Sequence, residues 1–520
     1  MLKNISLVRR YFCQAIKHEE IQDLDQVTIA IVGGGPAGFY TAKKILSDND
    51  QAHVHIFEKL PFPYGLVRYG VAPDHQSIKK IINDFKEVSH NPRLKFYGNV
   101  TIGRDITVKE ITENYSGVVY SYGAQNDKKL GIPGENVKNV FSGREIVNWY
   151  NGHPDYCNLP LDFSKIKNVV IVGNGNVALD VARILIKAKT GELDDTDITA
   201  KSLSELKRNN IENIFLVGRR GLIQAQFSMK EFRQYAIYLL TFTLKQLCKI
   251  NRAFSQTKGA NFYVWKDEYE RSLNENSKWE FSDQMNSATR LARINKRRYD
   301  IIKNFKQIQN LKEIENGSQI SVHLKALLSP YQVNSENGQV TSVDFHRNTL
   351  KGEPFEQKSY VEESLGTENI QCDLLIRCIG YESENIDGIQ IPWDVQNNKI
   401  AHHNGCVLQH NSKDKIQIGK YASGWVKTGP VGVLDQTMLG CIETTNNIEN
   451  HINHLALVPK KDCEEKINQI LKERKVQAVS IQDWEKIDAY EIKKGQQNKK
   501  IREKIINIEE ALELLRLEQQ

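Results

Sequence analysis

Two glycine-rich runs stand 140 residues apart, Gly33-Gly34-Gly35-Pro36-Ala37-Gly38 and Gly173-Asn174-Gly175-Asn176-Val177-Ala178. In the first, Gly33 permits a tight turn, Gly35 lets backbone approach a bound pyrophosphate, and Gly38 lets the following helix pack on the preceding strand. Such a turn receives the phosphates of a dinucleotide, because the helix behind it directs its free N–H groups and the positive end of its dipole at the anion. Two of them in one chain point to a flavin and a nicotinamide held together for hydride transfer.

The residues beyond each run separate the two sites. Val54 to Phe57 predicts a strand ending in Glu58, twenty residues past Gly38, where a dinucleotide unit places the acid that accepts ribose hydroxyls. That carboxylate would repel a 2′-phosphate, so the first site suits FAD or NAD and disfavours NADP. Behind the second run, the strand predicted over Ile214 to Val217 ends in Gly218-Arg219-Arg220-Gly221. Two guanidinium groups there can form charge-assisted bonds with a 2′-phosphate, which predicts selection of NADPH.

Positioning these groups requires strand, turn and helix in order, and both units supply them. Val27 to Val32 and Val169 to Val172 are β-branched apolar runs leading into the turns, and helical apolar spacing follows at Tyr40, Ala42, Ile45 and Leu46, and at Leu179, Ala182, Ile184 and Leu185. The polar stretch from Gly191 to Asn210 predicts an insertion loop. Lys245 to Lys303 is polar, basic and helical in character; Ile320 to Leu324 and Val340 to Phe345 predict strands joined through Asn337-Gly338, and Asp373 to Ile379 another buried strand.

Length and composition restrict the class. A chain of 520 residues exceeds a single core and predicts two or three domains. With 26% charged and 40% hydrophobic residues and a net charge of +6, it is a globular protein with no case for binding nucleic acid. No apolar run approaches the ~18 residues that cross a bilayer. The eight cysteines, Cys13, Cys157, Cys248, Cys372, Cys378, Cys406, Cys441 and Cys463, form no CxxC and no zinc or iron–sulfur spacing. They therefore predict no metal site, no dithiol centre and no cluster carried by the chain itself. Residues 1 to 18 contain Lys3, Arg9, Arg10 and Lys17, no acid, and interleaved apolar residues, the profile of a mitochondrial transit peptide.

A longer likeness narrows the reading. The run from Pro61 to His75, Pro-Phe-Pro-Tyr-Gly-Leu-Val-Arg-Tyr-Gly-Val-Ala-Pro-Asp-His, closely resembles the flavin-contacting segment of the adrenodoxin reductase family, the mitochondrial-type ferredoxin–NADP reductases. The resemblance continues through Gly173 to Arg183, Val217 to Gly221, Lys230-Glu231, Gly424 to Lys427 and Asp483 to Lys486, in the same order over roughly residues 26 to 517. It implies an α/β fold of two dinucleotide-binding, Rossmann-like domains, with the NADP domain inserted in the FAD domain. The expected division is a targeting segment at 1–25, the first part of the FAD domain at 26–127, the NADP domain at 128–370, and the second part of the FAD domain with a C-terminal tail at 371–520.

Carried over residue by residue, the resemblance implies FAD contacts at Ala37, Glu58, Leu66, Ile102, Trp425, Gly432, Val433 and Leu434, besides Gly33, Gly35 and Gly38. It implies NADP contacts at Gly173, Asn174, Gly175, Asn176, Arg219, Arg220 and Glu231, with Gly432 touching both cofactors. His75 and Asp180 match a polar pair beside flavin and nicotinamide, and an imidazole there could govern proton uptake; a loop histidine that only shapes the cleft is the rival reading. The chain departs from the family at Asn174, where Gln is usual, at Gly34 for Ser, and at Val431 for Thr, and the segment from Lys230 to Arg290 is longer.

Arg290, Arg293 and Arg297 fall at i, i+3 and i+7, one face of a helix. With Arg233, Arg293 and Arg297 resemble the family's docking charges for an acidic two-iron two-sulfur ferredoxin, a solvated helix face being the alternative. The implied activity is NADPH:ferredoxin (adrenodoxin-type) oxidoreduction through non-covalent FAD, serving haem monooxygenases and/or iron–sulfur cluster assembly. The implied place is the mitochondrial matrix, with room for peripheral association with the inner membrane. A glutamate-synthase-like flavoprotein subunit and a non-catalytic flavin module are the rival readings.

Overall fold

The computed structural model describes residues 26–224, 260–280, 282, 292–293, 295–296, 299, 306–313, 319–386, 391–432 and 434–517. The segment expected at 1–25 to direct targeting lies outside them. Two seven-stranded sheets organise the described residues. In the first, Thr28–Val32 lies between His53–Phe57 and Gly117–Tyr120, parallel to both, with Leu94–Tyr97 beyond the former and Ile416–Ala422 beyond the latter. The chain therefore proceeds to one side of Thr28–Val32 and then crosses to the other. Such a reversal opens a crevice at the carboxyl ends of the strands, and the first glycine turn stands there. The central strand is buried throughout, as its apolar run from Ile29 to Val32 requires in a sheet covered on both faces.

The second sheet repeats the plan. Asn168–Val172 lies between Asn213–Val217 and Leu374–Arg377, and every pairing in the sheet is parallel. The two turns are built alike: Gly33 N–H donates to Phe57 O and Gly173 N–H to Val217 O, each at 2.8 Å. The expected α/β fold with two dinucleotide-binding units is thus observed. A four-stranded antiparallel sheet, Leu328–Glu336, Gln339–Lys351, Lys358–Val361 and Thr367–Gln371, is appended to the second unit. A short antiparallel ribbon of Asn126–Asp127 with Tyr381–Glu382 joins the two chain crossings between the units.

Four expectations need correction. Leu374–Arg377 was expected in the FAD domain but pairs with Asn168–Val172 and Val140–Ser142, which carries the second unit past residue 370 to Arg377. Gly191 to Asn210 is not simply a loop: it contains the helix Ala200–Lys207, capped by Thr199. Its polarity serves a buried ionic cluster, where Asp197, 3% exposed, meets Lys79 Nζ at 2.6 Å and Lys504 Nζ at 3.0 Å. Within the stretch expected to be helical, Ala260–Trp265 is a strand of the second sheet, favoured by its aromatic and β-branched residues. The turn at Asn337-Gly338, with φ of 51° and 75°, joins Gln339–Lys351 to Leu328–Glu336 and not to Ile320–Lys325.

Candidate dinucleotide sites

At the first turn, the helix Pro36–Asp48 begins at Gly35 with no side-chain cap, whereas capping boxes close the helices starting after Thr107, Ser142 and Ser480. Its first N–H groups thus have no side-chain acceptor at the N-cap. A Cβ built on Gly38 would collide with Gly33 O, and one on Gly33, whose φ is +115°, would lie 2.7 Å from Ser121 O. These two glycines are required by the protein's own packing. Gly35 differs, since a Cβ there meets nothing within 4 Å, so its face is open.

Glu58 closes one side of this turn. Its Oε2 accepts Gly34 N–H at 2.8 Å and its Oε1 accepts Leu60 N–H at 3.1 Å. Burial pushes its carboxyl up, against the opposing pull of these two backbone bonds. Each carboxylate oxygen retains acceptor capacity for a hydroxyl. A Cβ on Gly34 would sit 3.0 Å from Glu58 Cβ and 3.1 Å from the Phe96 ring, which accounts for glycine where the family has serine.

Leu66, Ile102 and Trp425 lie at the same end of the sheet. Leu66 lies in the short helix Gly65–Tyr69, seated so that a Cβ on Gly65 would be 3.1 Å from Gly35 Cα. Ile102, 5% exposed, follows the segment in which Val100 N–H donates to Glu58 O at 2.9 Å. Gly424 allows close approach to Ala37, where a Cβ would strike the Ala37 side chain, and so brings Trp425 beside the first helix. Trp425 stacks on Tyr381 with ring centroids 5.6 Å apart. Gly432, at φ +92°, precedes the helix Leu434–Asn453. That helix is tied to the first through Ser423, which bonds Thr41 at 3.0 Å and Cys441 Sγ at 3.1 Å. Val433 lies outside the described residues.

The second turn reproduces the logic with different ends. Gly175 begins the helix Asn176–Lys187 without a side-chain cap, and a Cβ on it meets nothing within 4 Å, while one on Gly173 would collide with Cys378 O. Asn174 lies directly over Gly218, where a Cβ would overlap its amide, so the second glycine turn and the arginine turn are in contact. Arg219 is exposed and Arg220 half-buried. Neither has a carboxylate partner among the described residues, and burial and the Arg219 charge both lower the Arg220 pKa. Two adjacent guanidinium groups without a carboxylate partner are able to receive an anion. Glu231 lies outside the described residues.

His75 and Asp180 come from different units and are connected through two residues not singled out in advance. Asp180 meets Arg183 Nη1 at 2.7 Å, Arg183 Nε donates to Asp74 at 2.7 Å, and Asp74 stands 4.0 Å from His75 Nε2. His75 is 7% exposed. The signal for Arg183 was its i+3 spacing from Asp180 on a helix. Of the expected docking residues, Arg293 is exposed, and Arg233 and Arg297, with Arg290, lie outside the described residues. Among the described residues there is no cluster able to hold a metal ion, and no helix is long and apolar enough to cross a membrane.

Comparison with known proteins agrees with this geometry. The family model described as pyridine nucleotide-disulphide oxidoreductase matches residues 27–236. The NADPH:adrenodoxin oxidoreductase, mitochondrial, of Arabidopsis thaliana is 35% identical over 514 residues, covering 97% of each chain. That of Bos taurus is 34% identical over 492 residues, covering 94% of this chain and 92% of its own. The structure of Mycobacterium tuberculosis FprA in complex with NADPH superposes with a TM-score of 0.78 at 28% identity, over 94% of this chain and 99% of its own. The mitochondrial names of the relatives support the same location for this chain. On sequence and fold together, the chain is an oxidoreductase that belongs to the NADPH:adrenodoxin oxidoreductase family.

Proposed function

We propose that the chain transfers electrons from NADPH, bound at the second turn, through non-covalent FAD, bound at the first, to an acidic two-iron two-sulfur ferredoxin. The observation that carries this reading is the pair of uncapped helix starts behind open glycine faces, one flanked by Glu58 and the other by Arg219 and Arg220. The residues fit their ligands. Gly33, Gly35, Ala37 and Gly38 would hold the FAD pyrophosphate and Glu58 its ribose, with Leu66, Ile102, Trp425, Gly432, Val433 and Leu434 around the remainder. Gly173, Asn174, Gly175 and Asn176 would hold the NADPH pyrophosphate, Arg219 and Arg220 its 2′-phosphate, and Glu231 and Gly432 its other end. When bound, FAD accepts electrons in pairs from NADPH and releases them singly to a one-electron acceptor.

The chain's own contribution is orientation and charge. Asp74 and Arg183 join the two units beside His75 and Asp180, so the polar pair lies at the junction between the units. His75, largely withdrawn from solvent, is positioned to hold or pass a proton there. Arg233, Arg293 and Arg297 would draw in the acidic partner by long-range attraction. The test is NADPH-driven reduction of cytochrome c with and without a mitochondrial-type two-iron ferredoxin. Strong dependence on the ferredoxin is expected. Flavin that bleaches with NADPH while added ferredoxin changes nothing would overturn the proposed acceptor.

A further inference from the structure

The turn Gly218-Arg219-Arg220 is held mainly through its backbone. Gly218 N–H donates to Lys325 O at 2.9 Å, Leu328 N–H to Gly218 O at 3.1 Å, and Leu327 N–H to Arg220 O at 3.1 Å. The remaining carbonyl, that of Arg219, accepts from a side chain 129 residues away, Asn348 Nδ2 at 2.9 Å. Asn348 belongs to the strand Gln339–Lys351 and is 1% exposed. Its Nδ2 also donates to Ser329 Oγ at 2.8 Å, its backbone N–H to Leu327 O at 2.7 Å, and its carbonyl accepts Arg271 Nη1 at 2.8 Å. The amide nitrogen must face Arg219 O, because the amide oxygen in that place would set acceptor against acceptor.

We propose that Asn348 is a positioning residue for the choice of NADPH over NADH. This rests on reading Arg219 and Arg220 as the clamp for the 2′-phosphate. Both side chains lack a carboxylate partner among the described residues, so where they point is set by the backbone from which they spring. A guanidinium engages a phosphate with two parallel bonds only when its base is correctly placed. Asn348 fixes that base at Arg219, and the bonds from Leu327 and Leu328 fix it at Arg220 and Gly218. Leu327 holds a left-handed conformation, φ 56°, and Asn348 N–H bonds its carbonyl, so one residue steadies both sides of the turn.

The test compares kcat and KM for NADPH and for NADH, with ferricyanide as acceptor, in the holoenzyme and in three variants: Asn348→Asp, which keeps the shape but removes the donor, Asn348→Ala, and Arg219→Ala/Arg220→Ala. Both Asn348 variants are expected to raise the NADPH KM roughly tenfold, the equivalent of one lost hydrogen bond. The kcat and the NADH KM should stay within about twofold of wild type, because neither involves the 2′-phosphate. Ser329→Ala, which leaves Asn348 in place but frees its amide to turn, should raise the NADPH KM roughly two- to threefold and serves if the other two fold poorly.

A parallel rise in both KM values, or a fall in kcat with no change in KM, would make Asn348 merely structural. So would an unchanged NADPH KM in the Asn348 variants while the double arginine variant raises it. If the double arginine variant itself keeps full preference for NADPH, the clamp reading fails, and the inference falls with it.

Discussion

Arg183 and Asp74 form a fork-to-fork ion pair between the two dinucleotide units, Nε to Oδ2 at 2.7 Å and Nη2 to Oδ1 at 3.0 Å. The same guanidinium holds Asp180 at 2.7 Å, and Lys187 Nζ reaches Asp74 at 3.1 Å. One arginine thus joins a carboxylate from each unit at the junction where His75 lies. A pair this geometrically constrained sets the angle between the units more firmly than an apolar contact of equal area, because it tolerates little sliding.

Burial alone would push the Asp74 carboxyl up, but Arg183, His75 and Lys187 outweigh burial and hold it well below the usual carboxylate range. The folded pKa is therefore depressed relative to an unfolded value near ~3.9. The resulting stability is fully present above that value and drains away as pH falls below it. Asp74→Asn should lower the unfolding free energy by about 3 kcal/mol at neutral pH, the scale for breaking a buried pair, and should weaken the acid dependence below pH ~4. Denaturant unfolding at pH 7 and under acid conditions checks both; an unchanged neutral midpoint would show that the pair is replaced without loss.

Gly173 and Gly175 separate the needs of folding from those of binding. A Cβ on Gly173 would strike Cys378 O, and its φ is +127°, whereas Gly175, at φ −89°, faces open space. Gly173→Ala should destabilise the apoprotein by more than ~2 kcal/mol, through backbone strain and overlap. Gly175→Ala should leave the thermal midpoint nearly unchanged yet raise the NADPH KM roughly tenfold, by standing where backbone approaches the pyrophosphate. Thermal unfolding and steady-state kinetics on the two variants distinguish these outcomes, and equal effects at both positions would contradict the assignment.

Arg219 and Arg220 should account for most of the discrimination between nucleotides. Charge-assisted hydrogen bonds contribute about 1.5–3 kcal/mol each, so losing two should reduce the NADPH preference by a factor on the order of 100 or more. The check is the ratio of kcat/KM for NADPH to that for NADH in Arg219→Ala/Arg220→Ala. Added salt should raise the NADPH KM of wild type more steeply than that of the variant, since screening acts on the charges removed. A double variant with the wild-type salt response would place the phosphate elsewhere.

What could be read in the chain beforehand was local. Gly33 to Gly38 and Gly173 to Ala178 announce themselves because strand, turn and helix are contiguous, and Glu58 and Arg219 take their meaning from ending the next strand. The missing pieces depend on residues distant in sequence. Asp74 meets Arg183 across 109 positions, Gln76 meets Asp197 across 121, and Asn348 meets Arg219 across 129. None of these pairs carries a periodic signature. Leu374–Arg377 shows the same limit for the fold: its apolar residues predict a buried strand, but only register with Asn168–Val172 says which sheet receives it. Asp197 made a buried cluster look like a loop, since a polar residue paired in the interior and one in solvent read identically.

The cysteines bear on how many electrons the enzyme stores. Cys157, Cys372, Cys378, Cys406, Cys441 and Cys463 are all free thiols, although the family model that matches is described by its disulphide oxidoreductases. Burial pushes the Cys372 and Cys378 thiols up, far from the thiolate form, so both are poor redox partners. Full reduction of the flavin under anaerobic conditions should therefore consume about one NADPH per flavin, where an enzyme with a dithiol centre beside its flavin would consume about two. Stopped titration of the flavin absorbance against NADPH measures this directly. A second equivalent taken up before the end point would reveal another two-electron centre.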